Sequence, residues 1–279
     1  MRLDTDEFLG DGLSSESAVR ARVNILGVGV TALNMESALD ETESLLQRGD
    51  RGYVCVTGVH GIMEAQLDEQ FRDILNRSFL TTPDGMPTVW LGRVVHGFEH
   101  MRRVYGPDYM LGLCKRSVNR GYRHFLYGGK PGIADELAAE LIRRFPGLKI
   151  VGTYTPPFRP LTPREEDDLR RQLQASRADI LWCGLSTPKQ ERFMAAYSHR
   201  LPVKLMVGVG AAFDLLSGNL AEAPDWMKNS GLQWLYRLLK EPKRLWRRYL
   251  LNNPKFTWLT FLQLTGLKSF RLKVRRSTR

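Results

Sequence analysis

The chain has 279 residues, 43% of them hydrophobic, with 41 Lys or Arg against 30 Asp or Glu and a formal net charge of +11. That apolar content supports a sizeable core, in one large α/β domain or two lobes, and excludes an intrinsically disordered chain. The charge is concentrated: residues 228–279 hold 14 basic residues and one acid, Glu241, while the first 227 hold 27 basic and 29 acidic, so the tail is +13 and the remainder −2.

Met1 to Ser17 is acidic and weakly apolar, lacking the basic start and hydrophobic stretch of a secretory signal, which sets the expectation of a cytoplasmic protein. Apolar runs that read as buried strands then alternate with helical patterns. Val23–Val28 predicts the first strand and Met35–Gln47 an amphipathic helix, followed by a strand at Tyr53–Thr57 and a helix at Glu64–Asn76. Strands are next predicted at His124–Gly129, Ile150–Tyr154, Asp179–Gly184 and Lys204–Gly210, with helices at Ile133–Arg144 and Pro163–Ala175. Such alternation argues for an α/β fold with a mostly parallel sheet covered on both faces. The turn Gly128-Gly129-Lys130-Pro131-Gly132 places the start of a second Rossmann-like lobe near Gly121. The expected organisation is an acidic extension (1–21), an N-terminal Rossmann-like lobe (22–120), a second such lobe (121–227) and a basic aromatic appendage (228–279). Ligands of open α/β sheets gather at the carboxyl ends of strands, which directs the search for chemistry to the segments that follow them.

In the appendage, Trp234, Tyr236, Trp246, Tyr249, Phe256, Trp258, Phe261 and Phe270 are interleaved with the basic residues. Cations among amphipathic rings suit a polyanion with an apolar neighbour, as at an anionic membrane surface. The longest apolar run, Phe256–Leu264, is about half the roughly 20 residues that span a bilayer, so the tail is expected to lie on a membrane. Cys55, Cys114 and Cys183 are odd in number, far apart and set among apolar residues, as expected of reduced core thiols.

Asp84, in Thr82-Pro83-Asp84-Gly85-Met86-Pro87, is a carboxylate on a stiff turn near a strand end, where it can take a proton from a hydroxyl. Asp-Gly is equally a common turn pair. Thr57 and Asp214 are likewise polar groups delivered to probable strand ends. His60, close to Thr57, reads as a base, but the other histidines are scattered and no metal-ligand spacing is visible. Gly128 and Gly129 either cradle a phosphate at a helix start or make a tight strand-to-helix turn. Ser186 or Thr187 reads as a helix cap and Gln190 as a substrate contact. Asp167-Asp168 falls in a charged helical stretch, so no Asp-x-Asp pair stands at a strand end to bind a metal. Pro242 should interrupt the helix begun near Gly231 and start another, on which Arg244, Arg247 and Arg248 share a face. Arginines so placed hold a diphosphate or form a solvated basic surface.

In this order, the pieces resemble the WecG/TagA/CpsF glycosyltransferases, glycosyltransferase family 26, from about Val23 to Leu262. The matching segments are Pro83-Asp-Gly-Met86 with Val89-Trp90, Arg103-Val-Tyr-Gly-Pro-Asp108, Leu126-Tyr-Gly-Gly-Lys-Pro-Gly132, Gly184-Leu-Ser-Thr-Pro-Lys-Gln-Glu191, Gly208-Val-Gly-Ala-Ala-Phe-Asp214 and the tail from Gly231 to Leu250. The resemblance implies metal-independent, inverting transfer of a sugar from a UDP-sugar to a polyprenyl-diphosphate-linked saccharide on the inner membrane face, with no cofactor. It maps the base onto Asp84 and a donor-site threonine onto Thr57. Arg103, Gln190 and Asp214 fall at positions lining the donor pocket, and Arg237, Arg244 and Arg247 match a trio that reaches over the site to the diphosphate. Many members carry Asn two positions after that threonine; Val59 stands here, followed by His60, which keeps His60 open as an accessory group.

The expectation is therefore a peripheral membrane glycosyltransferase of exopolysaccharide or other cell-envelope glycan synthesis. Its partners would be a UDP-sugar, a lipid-linked saccharide and an anionic membrane surface, with self-association left open. Two rivals are a nucleic-acid-binding protein using the basic aromatic tail, which leaves Asp84, Thr57 and Gln190 without a role, and a nicotinamide-dependent oxidoreductase, for which no G-x-G-x-x-G follows the first strand.

Overall fold

The computed structural model describes residues 21–272; the stretch 1–20 and the basic residues Lys273, Arg275, Arg276 and Arg279 lie outside the described residues. The first run, expected as one strand, is a hairpin of β1 (Arg22–Ile25) and β2 (Val28–Thr31). It reverses through Leu26 and Gly27, both at positive φ (51° and 81°), as a two-residue turn matching strand twist requires. α1 (Met35–Arg48) begins on Asn34 and Ser37, which cap each other's backbone N–H reciprocally, and ends at left-handed Gly49. After β3 (Gly52–Thr57), the single helix expected at Glu64–Asn76 is two, α2 (Val59–Leu67) and α3 (Glu69–Arg77). Asp68 divides them: its backbone is extended and its carboxylate accepts the N–H of Phe71 at 3.0 Å, starting a new helix.

β4 (Leu80–Pro83) leads to α4 (Met86–Trp90), which runs into a π-helical turn at Leu91–Val95, and then to α5 (Gly106–Arg120). The second half follows the predicted alternation: β5 (Arg123–Gly128), α6 (Ile133–Arg144), β6 (Lys149–Tyr154), α7 (Pro163–Ser176), β7 (Ile180–Gly184), α8 (Lys189–Tyr197), β8 (Leu205–Gly208) and α9 (Ala212–Leu216). The tail forms α10 (Asp225–Asn229), α11 (Gln233–Lys240), α12 (Pro242–Trp246), a second π-helical turn at Arg247–Leu251, and α13 (Asn252–Leu264).

The expected parallel α/β fold is present, with both halves in one sheet. Six parallel strands run in the order β4-β3-β8-β7-β5-β6, and β8 pairs with β3 on one side and β7 on the other. A last strand with two apolar faces is buried best at the centre of a sheet, and from there it stitches the two βα runs together. Alternate residues of each strand feed two cores. Tyr53, Cys55, Phe125, Tyr127, Leu181 and Met206 pack with α2, α3, α7 and α8; Val54, Leu80, Leu126, Trp182 and Val207 pack with α1, α5, α6 and α9. The three cysteines are buried and free, and burial pushes each thiol up, as expected of inert core groups.

The tail is built into this body. Phe256 of α13 is buried in the first core. Gln263 accepts from the Leu26 N–H and donates to the Asn24 carbonyl, both at 2.9 Å, and Asn24 Nδ2 donates to the Phe270 carbonyl at 2.8 Å. The hairpin turn is thus held by the far end of the chain. Among the described residues, no helix is long and apolar enough to cross a membrane.

Candidate active site

All six strands point their carboxyl ends the same way, bringing Thr57, the residue after Pro83, and the loops after Gly184 and Gly208 to one edge of the sheet. Two cavities open there. One, of about 360 Å³, is lined largely by polar groups and backbone from the loops after β7 and β8, including Lys130, Gln190, Asp214 and Arg244. The other, of about 700 Å³, runs between α2, α4 and the tail and is walled by apolar side chains such as Met86, Trp90, Phe256, Phe261 and Leu264. They meet at Asp84, Arg237 and Arg248, which line both.

Asp84 continues the β4 ladder beyond Pro83: its N–H donates to the Thr57 carbonyl at 3.1 Å. Its main-chain oxygen accepts from Arg103 Nε at 2.5 Å, while its Oδ1 lies 3.6 Å from Arg103 Nη2 and accepts no hydrogen bond among the described residues. Arg103 lies over the Tyr105 ring, 4.2 Å from its centroid, and donates to Gln233 Oε1 of α11; Gln233 Nε2 donates to Tyr105 Oη at 2.9 Å. A carboxylate thus stands where a polar and an apolar chamber join.

Two guanidinium groups flank it from the tail. Nε of both Arg237 and Arg248 is buried with no hydrogen-bond partner among the described residues. Burial holds Arg248 below the usual arginine range, and Arg237 and Arg244 push the same way against the opposing pull of Tyr249 and Asp84. Arg244 is paired with Glu241, whereas the inward Arg237 and Arg248, crowded together with one carboxylate nearby, are poised for an anion. Among the described residues no group of three or more His, Cys, Asp or Glu side chains could hold a metal ion.

The profile of the glycosyl transferase WecG/TagA/CpsF family matches residues 23–269. The chain belongs to this family. Similar proteins include the N-acetylglucosaminyldiphosphoundecaprenol N-acetyl-β-D-mannosaminyltransferase of Bacillus subtilis (strain 168), 29% identical over 203 residues covering 73% of this chain and 76% of the relative. The protein of the same description from Bacillus spizizenii (strain ATCC 23059 / NRRL B-14472 / W23) is 31% identical over 193 residues, 69% of this chain and 72% of its own.

Against the family pattern, Asp84, Arg103, Arg237, Arg244, Gln190 and Asp214 all come together at the two cavities. Arg247 does not. It is exposed, stacked 5.2 Å over Trp246, and the next residue, Arg248, turns inward instead. At 3.6 residues per turn, a position four on lies about 40° past the starting face and a position three on about 60° short of it. The residue four on from Arg244 therefore returns to its face, while the residue three on falls short.

Thr57 is buried at the apolar chamber, with its hydroxyl 3.4 Å from the Cys55 carbonyl. Gln190 is a brace as much as a lining group: Oε1 accepts from the Gly210 N–H and Nε2 donates to Glu191 Oε1, each at 3.0 Å. Glu191, also bonded by Thr187 Oγ1 at 2.8 Å, is a buried acid whose carboxyl burial pushes up. His60 lines the apolar chamber; burial first, then Arg248, lowers it to about 4, so it is neutral at physiological pH. Gly128 and Gly129 line neither cavity. A Cβ at Gly128 would sit 2.6 Å from the Gly184 carbonyl carbon, and the Gly129 N–H donates to the Gly184 oxygen at 3.1 Å. They serve the close approach of β5 to β7. Gln233 and Tyr105 carry no signal of their own in the sequence beyond standing in the family's segments, and only the packing of α11 on the segment before α5 unites them.

Proposed function

We propose that the protein transfers a sugar, with inversion and without a metal ion, from a UDP-sugar to a saccharide carried on a polyprenyl diphosphate, in cell-envelope glycan synthesis. The observation that carries this reading is the junction of a polar and an apolar cavity at one carboxylate flanked by two guanidinium groups whose buried Nε atoms have no hydrogen-bond partner among the described residues. The polar chamber at the strand ends suits a nucleotide sugar, with Gln190 and Asp214 in its wall. The apolar chamber suits an acceptor attached to a lipid, and the relatives' names give N-acetylglucosaminyldiphosphoundecaprenol as theirs. We take N-acetylmannosamine as the first sugar to test for the same reason.

In the reaction, Asp84 takes the proton of the acceptor hydroxyl while that oxygen bonds to the anomeric carbon. The bond from that carbon to the diphosphate breaks, and its electron pair leaves with UDP. Arg237, Arg244 and Arg248 stabilise the growing negative charge, the role that a divalent cation plays elsewhere. The tail holds the body against the inner face of the membrane: Trp258, Leu264 and Leu267 of the tail are exposed, Leu264 at the apolar chamber, and the tail is strongly basic. The test is UDP release from UDP-N-acetylmannosamine and other UDP-sugars with a short-chain N-acetylglucosaminyl-diphospho-polyprenol. Asp84→Asn should lower turnover by roughly 10²–10⁴ while donor binding survives. Full turnover in that variant, or no UDP release by the wild type with any donor, would overturn the reading.

A further inference from the structure

Gln233 opens α11 and lines the apolar chamber, outside both the polar chamber wall and the arginine group, yet its amide holds one arm of Arg103. Arg103 has three places to donate: the Asp84 main-chain oxygen, which takes Nε at 2.5 Å, the Lys228 carbonyl, which takes Nη1 at 3.4 Å, and Gln233 Oε1, which takes Nη2. Nη2 is also the atom nearest the Asp84 carboxylate, at 3.6 Å, just beyond hydrogen-bond reach. The Gln233 amide is itself fixed, because its Nε2 donates to Tyr105 Oη at 2.9 Å. A neutral oxygen thus takes one of the two N–H groups on the nitrogen nearest the carboxylate and holds that nitrogen 3.6 Å from it.

We propose that Gln233 is a positioning residue that holds the Arg103 guanidinium off Asp84, so that the carboxylate stays free to accept a proton only when the tail is seated. The inference rests on the reading of Asp84 as the base. Without Gln233, Nη2 has no competing acceptor and the 3.6 Å separation closes to a charge-assisted pair. A carboxylate so paired is a weaker base, and it is turned toward Arg103 rather than the acceptor hydroxyl. Seating of the tail thereby does two things at once: it brings Arg237 and Arg248 over the junction, and it withdraws Arg103 from the base.

Among the described residues, the other charged and titratable groups facing this junction include Tyr105 and Asp108 at the start of α5, Glu222 and Lys228 beside and on α10, Arg237 on α11, Arg244 on α12, Arg248 and Tyr249 on the second π turn and His60 on α2. None touches Arg103 Nη2 in the way Gln233 does, and Lys228 is already paired with Glu222 and Asp225, at 3.2 and 2.8 Å.

The experiment compares wild type, Gln233→Ala, Gln233→Glu and Asp84→Asn as full-length proteins. UDP release is measured across pH with the short-chain lipid acceptor, and aspartate carboxyl resonances are titrated by carbon-13 NMR, the Asp84 signal being identified by its absence in Asp84→Asn. Gln233→Ala should lower turnover about tenfold and move the acid limb of the pH profile down by about one unit or more, as should the Asp84 NMR midpoint, since a neighbouring arginine favours the ionised carboxylate. Gln233→Glu, which still engages Arg103 while adding a negative charge, should not show the downward shift of either midpoint. Simple structural damage would lower the plateau and leave the midpoints where they are. If Asp84 titrates identically in wild type and Gln233→Ala, the proposal is wrong whatever the turnover. If instead Asp84→Asn is fully active while the Gln233→Ala midpoint shifts, the base reading fails and the Gln233–Arg103 linkage stands.

Discussion

Replacing Arg248 by Met separates the two kinds of arginine in the tail. Arg248 lines both cavities and has no hydrogen-bond partner for its Nε among the described residues, and burial disfavours its charge. In the folded protein without substrate, that guanidinium costs stability, as an uncompensated buried charge does. Met keeps much of the volume and removes the charge, so the melting temperature should hold or rise. Turnover should fall, because a hydrogen bond to a charged group contributes about 1.5–3 kcal/mol, or roughly ten- to a hundredfold in rate when it is made to the leaving diphosphate. Arg247→Met is the matched control: an exposed guanidinium stacked on Trp246 contributes about 0.5–1 kcal/mol to the fold and nothing to the junction. The assay is UDP release on the lipid acceptor beside a thermal melt for each variant. An active Arg248→Met, or a larger loss of turnover in Arg247→Met, would refute the assignment of the inward-facing arginine.

Two further outcomes follow from the same geometry. Burial and Arg248 hold His60 at about 4 against its ordinary 6.5, so the unfolded chain takes up this proton first; the stability it contributes is complete above about pH 6.5 and is lost as pH falls toward 4. His60→Gln should flatten melting temperature against pH across that window, removing at most about 3 kcal/mol of pH-dependent stability, and equal slopes in the two proteins would sink the argument. Trp258 is 59% exposed and packs on Phe261, 5.7 Å between ring centroids, on the face proposed to meet lipid. Trp258→Ser should weaken sedimentation with anionic vesicles while UDP release from a detergent-dispersed acceptor stays within about twofold, as for a surface substitution; unchanged sedimentation would place the membrane contact elsewhere.

The sequence by itself determined the elements whose signals are local. Helices α1, α6 and α7 lie within a residue of their expected bounds because reciprocal capping pairs, helix-starting Pro163 and left-handed termini are written in neighbouring residues. Asp84 was legible because Pro and Gly stiffen its turn, and the family was legible because many motifs stand in order. Tertiary structure decided what depends on residues distant in sequence. The first run became a hairpin whose turn is held by Gln263, more than two hundred positions away. The two halves shared one sheet because β8 found partners on both sides. The tail became a wall of the apolar chamber once Phe256 was buried, and which of the adjacent Arg247 and Arg248 turns inward was settled by how that segment packs on the body. Gln233 joined the site for the same reason: its two partners, Arg103 and Tyr105, are reached only across the fold.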